Sequence, residues 1–312
     1  MAKIVTLTPN PAIDLCTSVE RVVPTLKLRC TTQRHDPGGG GINVARVVRR
    51  LGGDVEAIFP IGGVTGGRLH DLITQEGIPA RAIKAKADTR EDFFISELST
   101  GLQYRFILPG QPLEEAEWQA CLSELAASNP APGFVVASGS LPPGVPADFY
   151  AQAARVARRL GAKFLLDTSG APLKAATDHE MYMIKPNLSE MSELAGAELA
   201  TQDEWLATAR AMIGAKNIEI IALSLGHLGA LLVTHTLALR AQALPIKPVS
   251  AVGAGDSFLG ALVYSLAQGA ALAEAFRLAV AAGAAALLNE GTELCRPADV
   301  YRLADQVRID HV

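Results

Sequence analysis

The sequence predicts an α/β fold: a doubly wound, mostly parallel sheet with helices on both faces. Short apolar segments typical of buried strands alternate along the chain with longer amphipathic segments typical of helices. Turns of small residues follow several strand segments, at the edge where such folds bind their ligands. Neither a repeat nor a Pro/Ser-rich linker divides the 312 residues, so we expect a single domain over residues 1–312.

The predicted strands are short and apolar, as in parallel sheets buried under helices. They are Ile4–Leu7, Val55–Pro60, Phe134–Ala137, Phe164–Asp167, Met181–Ile184 and Ile218–Leu223. The predicted helices place apolar residues at spacings of three and four. They are Ile42–Leu51, Arg68–Glu76, Glu114–Ala127, Ala147–Leu160, Asp203–Ile213, Ser257–Ala267 and Leu272–Leu288. The uncharged run 220–239 reaches membrane-spanning length, but its Ser, Gly and His residues indicate a strand, a turn and a second strand.

Two stretches interrupt this alternation and predict a second, smaller sheet. Residues 13–34 contain no convincing helix pattern and are rich in Thr, Val and Arg. Residues 90–108 have the pattern of a hairpin, with a turn at Ser99-Thr100-Gly101. Because a small sheet with one apolar face is not stable alone, we expect the two insertions to pair as a lid over a site, a partner subunit, or both.

Composition restricts the class of protein. Hydrophobic residues make up 49% of the chain and charged residues 19%, enough for a sizeable core. The formal net charge of -4 argues against general binding to nucleic acid or to a membrane surface. The four cysteines have neither C-x-x-C nor metal-ligand spacing, and the N-terminus does not read as a signal peptide. We therefore expect reduced thiols and a cytoplasmic location.

The segment Val252-Gly253-Ala254-Gly255-Asp256-Ser257 is the most informative motif. It precedes a helical pattern, so Gly253, Ala254 and Gly255 are expected to present free N–H groups and a partial positive charge to an anion. A carboxylate in this position is explained if Asp256 accepts the proton of a hydroxyl group that attacks phosphorus. The alternative is that Asp256 is only a helix N-cap. These six residues alone do not separate the two interpretations.

Four consecutive glycines, Gly38 to Gly41, precede another helical pattern. They are costly in chain entropy, so we expect a ligand to lie against them while Asn43 donates to a hydroxyl group; the alternative is a flexible loop. The cluster is neither a dinucleotide fingerprint nor a P-loop, because the chain has no G-x-G-x-x-G and no Gly-Lys pair. Asp14 follows the first strand and its turn, at the ligand-binding edge; the alternative is a surface turn residue.

Four cations lie in the predicted lid: Lys27, Arg29, Arg90 and Arg105. A neutral sugar would not need them, whereas arginine binds phosphate oxygens in a planar fork. The alternative is that charges protect exposed edge strands from aggregation. That alternative is the better interpretation of any one cation, but for at least two together we favour phosphate contact.

Three further turns follow predicted strands and predict a shared cleft. They are Ser138-Gly139-Ser140, Lys185-Pro186-Asn187-Leu188-Ser189-Glu190 and Ser224-Leu225-Gly226. Glu190 could hold Mg²⁺ through water. The alternative is an acidic residue that favours a helix dipole.

Together, Pro37–Arg46, Ser138–Val145, Lys185–Glu190 and Val252–Ser257 closely resemble the ribokinase-like, phosphofructokinase-B family of ATP-dependent sugar kinases. The resemblance extends over essentially the whole chain. Within the family, Lys27-Leu28-Arg29-Cys30 and the all-glycine cluster look most like the bacterial minor 6-phosphofructokinase branch. The resemblance implies ATP-dependent conversion of fructose 6-phosphate to fructose 1,6-bisphosphate. A 1-phosphofructokinase, a tagatose-6-phosphate kinase and, more remotely, a non-catalytic sensor stay open as alternatives.

The resemblance also implies roles for individual residues. Asp256 is the expected base, and Gly253, Ala254 and Gly255 the anion hole for the γ-phosphate. The expected sugar contacts are Asp14, Gly38, Gly39, Asn43 and the turn around Gly139, with Lys27, Arg29, Arg90 and Arg105 on the sugar phosphate. The expected nucleotide contacts are Lys185, Asn187, Ser224, Gly226 and Gly229, with Val280, Gly283 and Ala284 near the adenine. Glu190 is expected to organise Mg²⁺. The residues that match the K⁺ loop are Ser250, Val252, Ala286, Asn289 and Gly291, with Glu293 at a further position.

We also expect a homodimer through the lid, because the exposed face of the lid needs cover.

Overall fold

The computed structural model describes residues 1–312, which form fourteen strands and ten α-helices. The strands are β1 (Ile4–Leu7), β2 (Ala12–Val19), β3 (Arg34–Gly38), β4 (Val55–Ile61), β5 (Ala80–Lys84), β6 (Arg90–Glu97), β7 (Gln103–Phe106), β8 (Phe134–Ser138), β9 (Lys163–Asp167), β10 (Met181–Ile184), β11 (Ile218–Ser224), β12 (Ala230–Thr234), β13 (Ala238–Ala241) and β14 (Asp310–His311). The helices are α1 (Gly40–Arg50), α2 (Gly63–Gln75), α3 (Glu115–Ala126), α4 (Phe149–Arg159), α5 (Gly170–Ala176), α6 (Leu188–Ala195), α7 (Gln202–Ala215), α8 (Ala254–Ala267), α9 (Leu272–Ala286) and α10 (Pro297–Ala304).

The main sheet has ten strands in the order β14-β13-β12-β11-β10-β9-β8-β1-β4-β5. The seven strands from β11 to β5 in this order are parallel, and β12, β13 and β14 add an antiparallel edge. The predicted mostly parallel sheet is confirmed. The carboxyl ends of the parallel strands face one edge, so the turns after β1, β8, β9, β10 and β11 are gathered there.

Hydrophobic cores cover both faces of this sheet, because alternate strand residues point to opposite sides. Ile4 packs into one core with residues of α1, α2, α8, α9 and α10. Val5 packs into the other with residues of α3 to α7. The sheet is therefore doubly wound, as predicted.

The second sheet has the order β3-β2-β6-β7. Strand β2 pairs in parallel with β6 along its whole length, from Ala12 opposite Arg90 to Val19 opposite Glu97. The insertions at 13–34 and 90–108 therefore meet in one small sheet, as the sequence predicts. Between β2 and β3, residues 20–33 form a mostly exposed loop.

Three predicted helices begin two or more residues earlier than expected. Helix α1 begins at Gly40 rather than Ile42, α2 at Gly63 rather than Arg68, and α8 at Ala254 rather than Ser257. In each, the periodic apolar pattern starts only after a first turn that contains glycine. The strands β5, β13 and β14 and the helices α5 and α10 were not predicted. Strand β5 carries Arg81 and Lys84, charges that an edge strand accommodates and that hide its apolar pattern.

None of the helices combines the length and the apolarity needed to cross a lipid bilayer.

Candidate active site

The expected anion site lies at the N-terminus of α8. Gly253 precedes the helix in the left-handed conformation, with φ of 71°, and a Cβ atom there would overlap Leu294. The first intrahelical hydrogen bond runs from the Ser257 N–H to the Gly253 carbonyl at 2.8 Å. The N–H groups of Ala254, Gly255 and Asp256 therefore come before the first helical bond, where they can receive an anion.

Asp256 does not cap the helix, so the N-cap interpretation is wrong. The N-cap is Gly253, and the Asp256 carboxylate instead accepts a hydrogen bond from Asn43 Nδ2 at 2.9 Å. Burial raises the pKa of Asp256 to about 6, and the nearby Asp167 adds to this rise, whereas Asn43, Lys185 and Arg105 oppose it. A carboxylate in this state is ionised at neutral pH yet basic enough to accept a proton.

A buried ion pair lies beside this carboxylate. Lys185 Nζ is 3.1 Å from Asp167 Oδ2. Burial opposes the charge on Lys185, but the Asp167 carboxylate outweighs it, so that the pKa of Lys185 is raised overall. A Cβ atom on Gly255 would lie 3.5 Å from Lys185 Nζ, which places this ammonium group next to the anion site. Asp167 was missed as a site residue; its position at the carboxyl end of a predicted strand was the available signal.

The glycine cluster is part of a strand and a helix, so the alternative of a flexible loop is wrong. A Cβ atom on Gly38 would overlap the Asp14 carboxylate, and one on Gly40 would overlap Ser138 Oγ. Gly39 has φ of 107° and is crowded by Thr8. The absence of side chains here lets three segments converge at the sheet edge. The turn at Gly139 is one of them, since an ideal Cβ there would lie 3.7 Å from the Gly40 nitrogen.

Asp14 is buried within β2, so the alternative of a surface turn residue is wrong. It lies directly opposite Asp36 on β3 and Asp92 on β6, so three aspartates share one rung of the small sheet. Burial, followed by the charge of Asp92, raises the pKa of Asp14 to about 7.

The four lid cations differ in their exposure and in the protein groups that they contact. Arg90 is bound internally: it pairs with Asp92 at 3.2 Å and donates to the carbonyls of Leu108 and Asn10. Its Nε is nonetheless buried and has no partner. Arg105 is exposed, with its guanidinium carbon 5.6 Å from the centre of the Phe94 ring. Lys27 and Arg29 are exposed in the loop 20–33.

A cavity of about 660 Å³ adjoins Arg90, between the segment 107–110 that follows β7 and the loop 140–147 that follows β8. Asn10 and Ser140 also line it, and Asn10 Nδ2 donates to Ser140 Oγ at 3.1 Å. Asp256 is not among the lining residues. The cavity is therefore suited to the part of a ligand that lies away from the reacting atom.

The expected nucleotide contacts also lie near one another. The Ser224 N–H donates to the Pro186 carbonyl at 3.0 Å, which joins the turns after β10 and β11. Gly229 has φ of 98°, and Arg240 donates to the Leu228 and Ala230 carbonyls beside it. Gly283 of α9 faces the first turn of α8, because a Cβ atom there would lie 3.4 Å from the Ala254 carbonyl oxygen.

Glu190 lies in the first turn of α6 and takes part in its N-terminal capping box, in agreement with the alternative that this acidic residue favours the start of a helix. Its Oε2 accepts from the Asn187 N–H at 2.8 Å, while Asn187 Oδ1 accepts from the Glu190 N–H at 2.9 Å. Its Oε1 takes no part in this capping box. The charge of Asp167 raises the pKa of Glu190, and the charges of both carboxylates raise the pKa of Lys185. Mg²⁺ is usually held by one or two carboxylates together with substrate phosphates, and this pair fits that pattern.

The segments 249–252 and 286–291 contain the residues that match a K⁺ loop, and they are joined by a hydrogen bond from the Val249 N–H to the Leu287 carbonyl at 2.7 Å. The carbonyls of Ser250, Val252 and Asn289 accept no hydrogen bond from the protein. Unpartnered carbonyls are ligands that suit K⁺.

Three arginines hold the adjoining segment 290–293 by its backbone. Arg34 donates to the Glu290 carbonyl at 2.6 Å, Arg46 to the Thr292 carbonyl at 3.0 Å, and Arg50 to the Glu293 carbonyl. The Glu293 carbonyl, expected as a further K⁺ ligand, is thus engaged by Arg50. Its carboxylate pairs with Arg296.

Comparison with known proteins supports the same assignment of family. Residues 7–299 match the pfkB family of carbohydrate kinases. The chain is 47% identical to the ATP-dependent 6-phosphofructokinase isozyme 2 of Mycobacterium tuberculosis, over 96% of this chain and 88% of that protein. It is 36% identical to a 1-phosphofructokinase of Xanthomonas campestris, over 89% of this chain and 88% of that protein.

The fold matches phosphofructokinase-2 of Escherichia coli solved in complex with potassium, with a TM-score of 0.93 and 38% identity over 98% of this chain and 99% of that one. That protein has also been solved with fructose 6-phosphate and as a tetrameric inhibited form. The glycine-lined cleft, the carboxylate at the start of α8 and these similarities lead to one assignment: the chain belongs to the pfkB family of carbohydrate kinases.

Proposed function

We propose that the protein transfers the γ-phosphate of ATP to fructose 6-phosphate, giving fructose 1,6-bisphosphate, with Asp256 as the base. The observation that carries the proposal is the Asp256 carboxylate at the N-terminus of α8, held by Asn43 instead of capping the helix. The Asp256 carboxylate does not stabilise the helix by capping it, but it is well placed to accept a proton beside an anion site.

The mechanism relies on positioning and charge stabilisation, because phosphoryl transfer needs little covalent help from a protein. The N–H groups of Ala254, Gly255 and Asp256 would stabilise the transferred group, with Lys185 beside them. The primary hydroxyl of the sugar would attack in line, and its proton would pass to Asp256. The lid would exclude water that could otherwise hydrolyse ATP.

The site also fits two cations. Asp167 and Glu190 would hold Mg²⁺ through water, and the carbonyls of Ser250, Val252 and Asn289 would hold K⁺. Both ions, when bound, supply positive charge that offsets the charge of the phosphates. Lys185, Asn187, Ser224, Gly226 and Gly229 would contact the nucleotide, with Val280, Gly283 and Ala284 near the adenine.

The sugar would bind between the glycine cluster and the small sheet. Gly38, Gly39, Asp14 and Asn43 would contact its hydroxyl groups, together with the turn at Gly139. Arg90 is favoured for the sugar phosphate, because its side chain is nine-tenths buried, its Nε lacks a partner, and it faces the cavity of about 660 Å³. Lys27, Arg29 and Arg105 are free to add contacts.

A substrate panel tests the proposal. Purified protein is supplied with ATP, Mg²⁺, K⁺ and one of fructose 6-phosphate, fructose 1-phosphate, tagatose 6-phosphate or fructose, and the release of ADP is followed. We expect the highest kcat/KM with fructose 6-phosphate. A preference for fructose 1-phosphate or tagatose 6-phosphate would establish the corresponding alternative kinase. If none of the sugars stimulates the release of ADP, a non-catalytic sensor would be favoured.

We further propose a homodimer through the small sheet. Leu102, Phe106 and Ile107 are each more than half exposed on or beside its edge strand β7, and an exposed apolar edge strand favours pairing with another chain. Light scattering tests this proposal, and a monomer at assay concentration would contradict it. A reducing, cytoplasmic environment would suit the four free cysteines.

A further inference from the structure

Arg46 is the least exposed charged residue of the chain, with 2% of its surface accessible. Its Nε donates to Glu76 Oε1 at 2.7 Å, which supplies the counter-charge that a buried guanidinium needs. Its Nη1 contacts three acceptors: the carbonyls of Pro37 and Thr292, each at 3.0 Å, and Asn43 Oδ1 at 3.2 Å. One side chain thus joins the strand before the glycine cluster, the segment 290–293 and a residue that touches the base.

The contact with Asn43 fixes the direction of that amide. Asn43 Oδ1 accepts from Arg46, while Asn43 Nδ2 donates to Asp256 Oδ2 at 2.9 Å. If the amide rotated by half a turn, its NH₂ group would face the guanidinium and its oxygen would face the carboxylate. Both contacts would then be repulsive. The cation on one side and the anion on the other therefore permit only one orientation.

We propose that Arg46 is a positioning residue for phosphoryl transfer, which acts by locking the Asn43 amide so that its NH₂ group holds the Asp256 carboxylate. The proposal rests on the function proposed above. Arg46 touches neither ligand nor reacting atoms in this scheme. It keeps the NH₂ group of Asn43 turned towards Asp256 Oδ2, while Asp256 Oδ1 is left for the sugar hydroxyl.

Arg50 provides a matched control within the same helix. It lies one turn after Arg46, donates to the same carboxylate of Glu76, and also donates to a carbonyl of the segment 290–293, that of Glu293. It has no contact with Asn43. Loss of Arg50 therefore removes the same two kinds of interaction, but neither the contact of Arg46 with Asn43 nor its contact with the Pro37 carbonyl. The Asn43→Ala background separates these last two contacts.

The experiment compares Arg46→Met and Arg50→Met, each in the wild-type background and in Asn43→Ala. For each variant, kcat and both KM values are measured, with thermal unfolding as the check on folding. We expect Arg46→Met to lower kcat about tenfold or more, as a hydrogen bond involving a charged group warrants, and to change the KM for ATP little. In the Asn43→Ala background the same substitution should cost almost nothing further. Arg50→Met should leave kcat within about threefold in both backgrounds.

Two results would overturn the proposal: equal losses of kcat in Arg46→Met and Arg50→Met, or a loss in Arg46→Met that adds in full to that of Asn43→Ala. If Arg46→Met does not fold, Arg46→Lys replaces it, since lysine keeps the charge beside Glu76 but lacks the fork that reaches Asn43 together with both carbonyls. The same non-additivity is then expected.

A readout that needs no turnover separates this proposal from the proposed function. In a crystal structure of the folded Arg46 variant, the distance from Asn43 Nδ2 to Asp256 Oδ2 should exceed hydrogen-bonding range or the amide should occupy two orientations. An unchanged contact refutes the positioning role even if the protein is a kinase. A wild-type protein without sugar-dependent ADP release refutes the proposed function but leaves the structural result standing.

Discussion

The edge of the main sheet that carries Asp256 and the lid formed by the small sheet and the loop 20–33 differ in how they hold their cations. At the catalytic edge, each charge is paired inside the protein: Asp256 with Asn43, and Lys185 with Asp167. In the small sheet, Arg105 is exposed beside Phe94, and the loop 20–33 presents Lys27 and Arg29 to solvent. Arg90 lies between these extremes, since it is bound internally but retains a buried Nε without a partner.

Under the proposed function, the difference indicates which part of the chemistry the fold prepares in advance. Groups that would stabilise charge in the transition state are held before substrate arrives, which avoids the cost of reorganisation during reaction. Lys27, Arg29 and Arg105 would be left free, so that binding of the sugar phosphate could draw the lid into place. Four predictions test this division, from the largest expected effect to the smallest.

The base should account for the largest effect. We expect Asp256→Asn to fold normally, to retain ligand binding and to lose about 10²–10⁴ in kcat, the usual contribution of a positioned base. Steady-state ADP release gives kcat, and thermal unfolding shows that the fold is intact. A kcat within a few-fold of wild type would show that the base has been assigned wrongly.

The free lid cations should affect binding of the phosphosugar. We expect Arg105→Ala to raise the KM for fructose 6-phosphate about tenfold or more, as for loss of a charge-assisted hydrogen bond, with little change in the KM for ATP or in Tm. Arg90→Ala should also raise the sugar KM, but should lower Tm because its contacts with Asp92 and Leu108 are lost.

Lys86→Ala is a suitable control for these variants, because Lys86 is exposed and pairs with Glu114 outside the small sheet. An unchanged sugar KM in both arginine variants would refute the role of the lid in binding phosphate.

The pH dependence should report the environment of the base. Asp256 accepts a proton only when ionised, so kcat/KM should fall as pH drops through about 6, the raised pKa of this carboxyl group. The hydrogen bond from Asn43 lowers that pKa, and Asn43→Ala should therefore move the acid limb to higher pH. The acid limb of the kcat/KM profile should persist in Asp14→Asn, a variant that controls for titration of the Asp14 carboxyl group. An acid limb near pH 4 in the wild-type protein, or a shift of the limb to lower pH in Asn43→Ala, would contradict the assignment of the limb to Asp256.

The rung of three aspartates should lower stability at alkaline pH. The pKa of Asp14 is about 7 in the folded protein and about 3.8 in the unfolded chain, so its contribution to stability is present below about pH 4 and is lost as pH rises towards 7. Asp14→Asn should therefore raise the free energy of unfolding by a few kcal/mol at most at pH 8, with little change at pH 4. Denaturant unfolding at the two pH values measures it; an equal effect at both would refute the linkage to Asp14.

Much of the fold could be predicted because buried parallel strands and amphipathic helices leave strong local patterns. The segments Ile4–Leu7 and Met181–Ile184 have the same limits in the structure as in the prediction. The prediction failed where position in the sheet matters more than local pattern. Strand β5 is an edge strand with charged residues, and α10 is short, so its Pro297 at the first position was the only strong sign of a helix.

The candidate site could be predicted where a motif is contiguous, as with Gly253 to Asp256 and the four glycines. Contacts between distant segments could not. Arg46 was visible in the sequence as part of the glycine motif, but its partners Glu76 and Thr292 lie 30 and 246 positions away. The pairing of Asp167 with Lys185 depends likewise on the order of strands β9 and β10.

The three guanidinium groups that hold residues 290–293 by their carbonyl oxygens also bear on protein engineering. Because the grip is on the main chain, a library that randomises the exposed Glu290 should keep the segment in shape and yield many folded clones. A library that randomises Arg34, Arg46 and Arg50 together should yield few, because all three contacts with the segment are then lost at once. New surface chemistry, such as a labelling handle, can therefore be introduced at Glu290 without reshaping the loop.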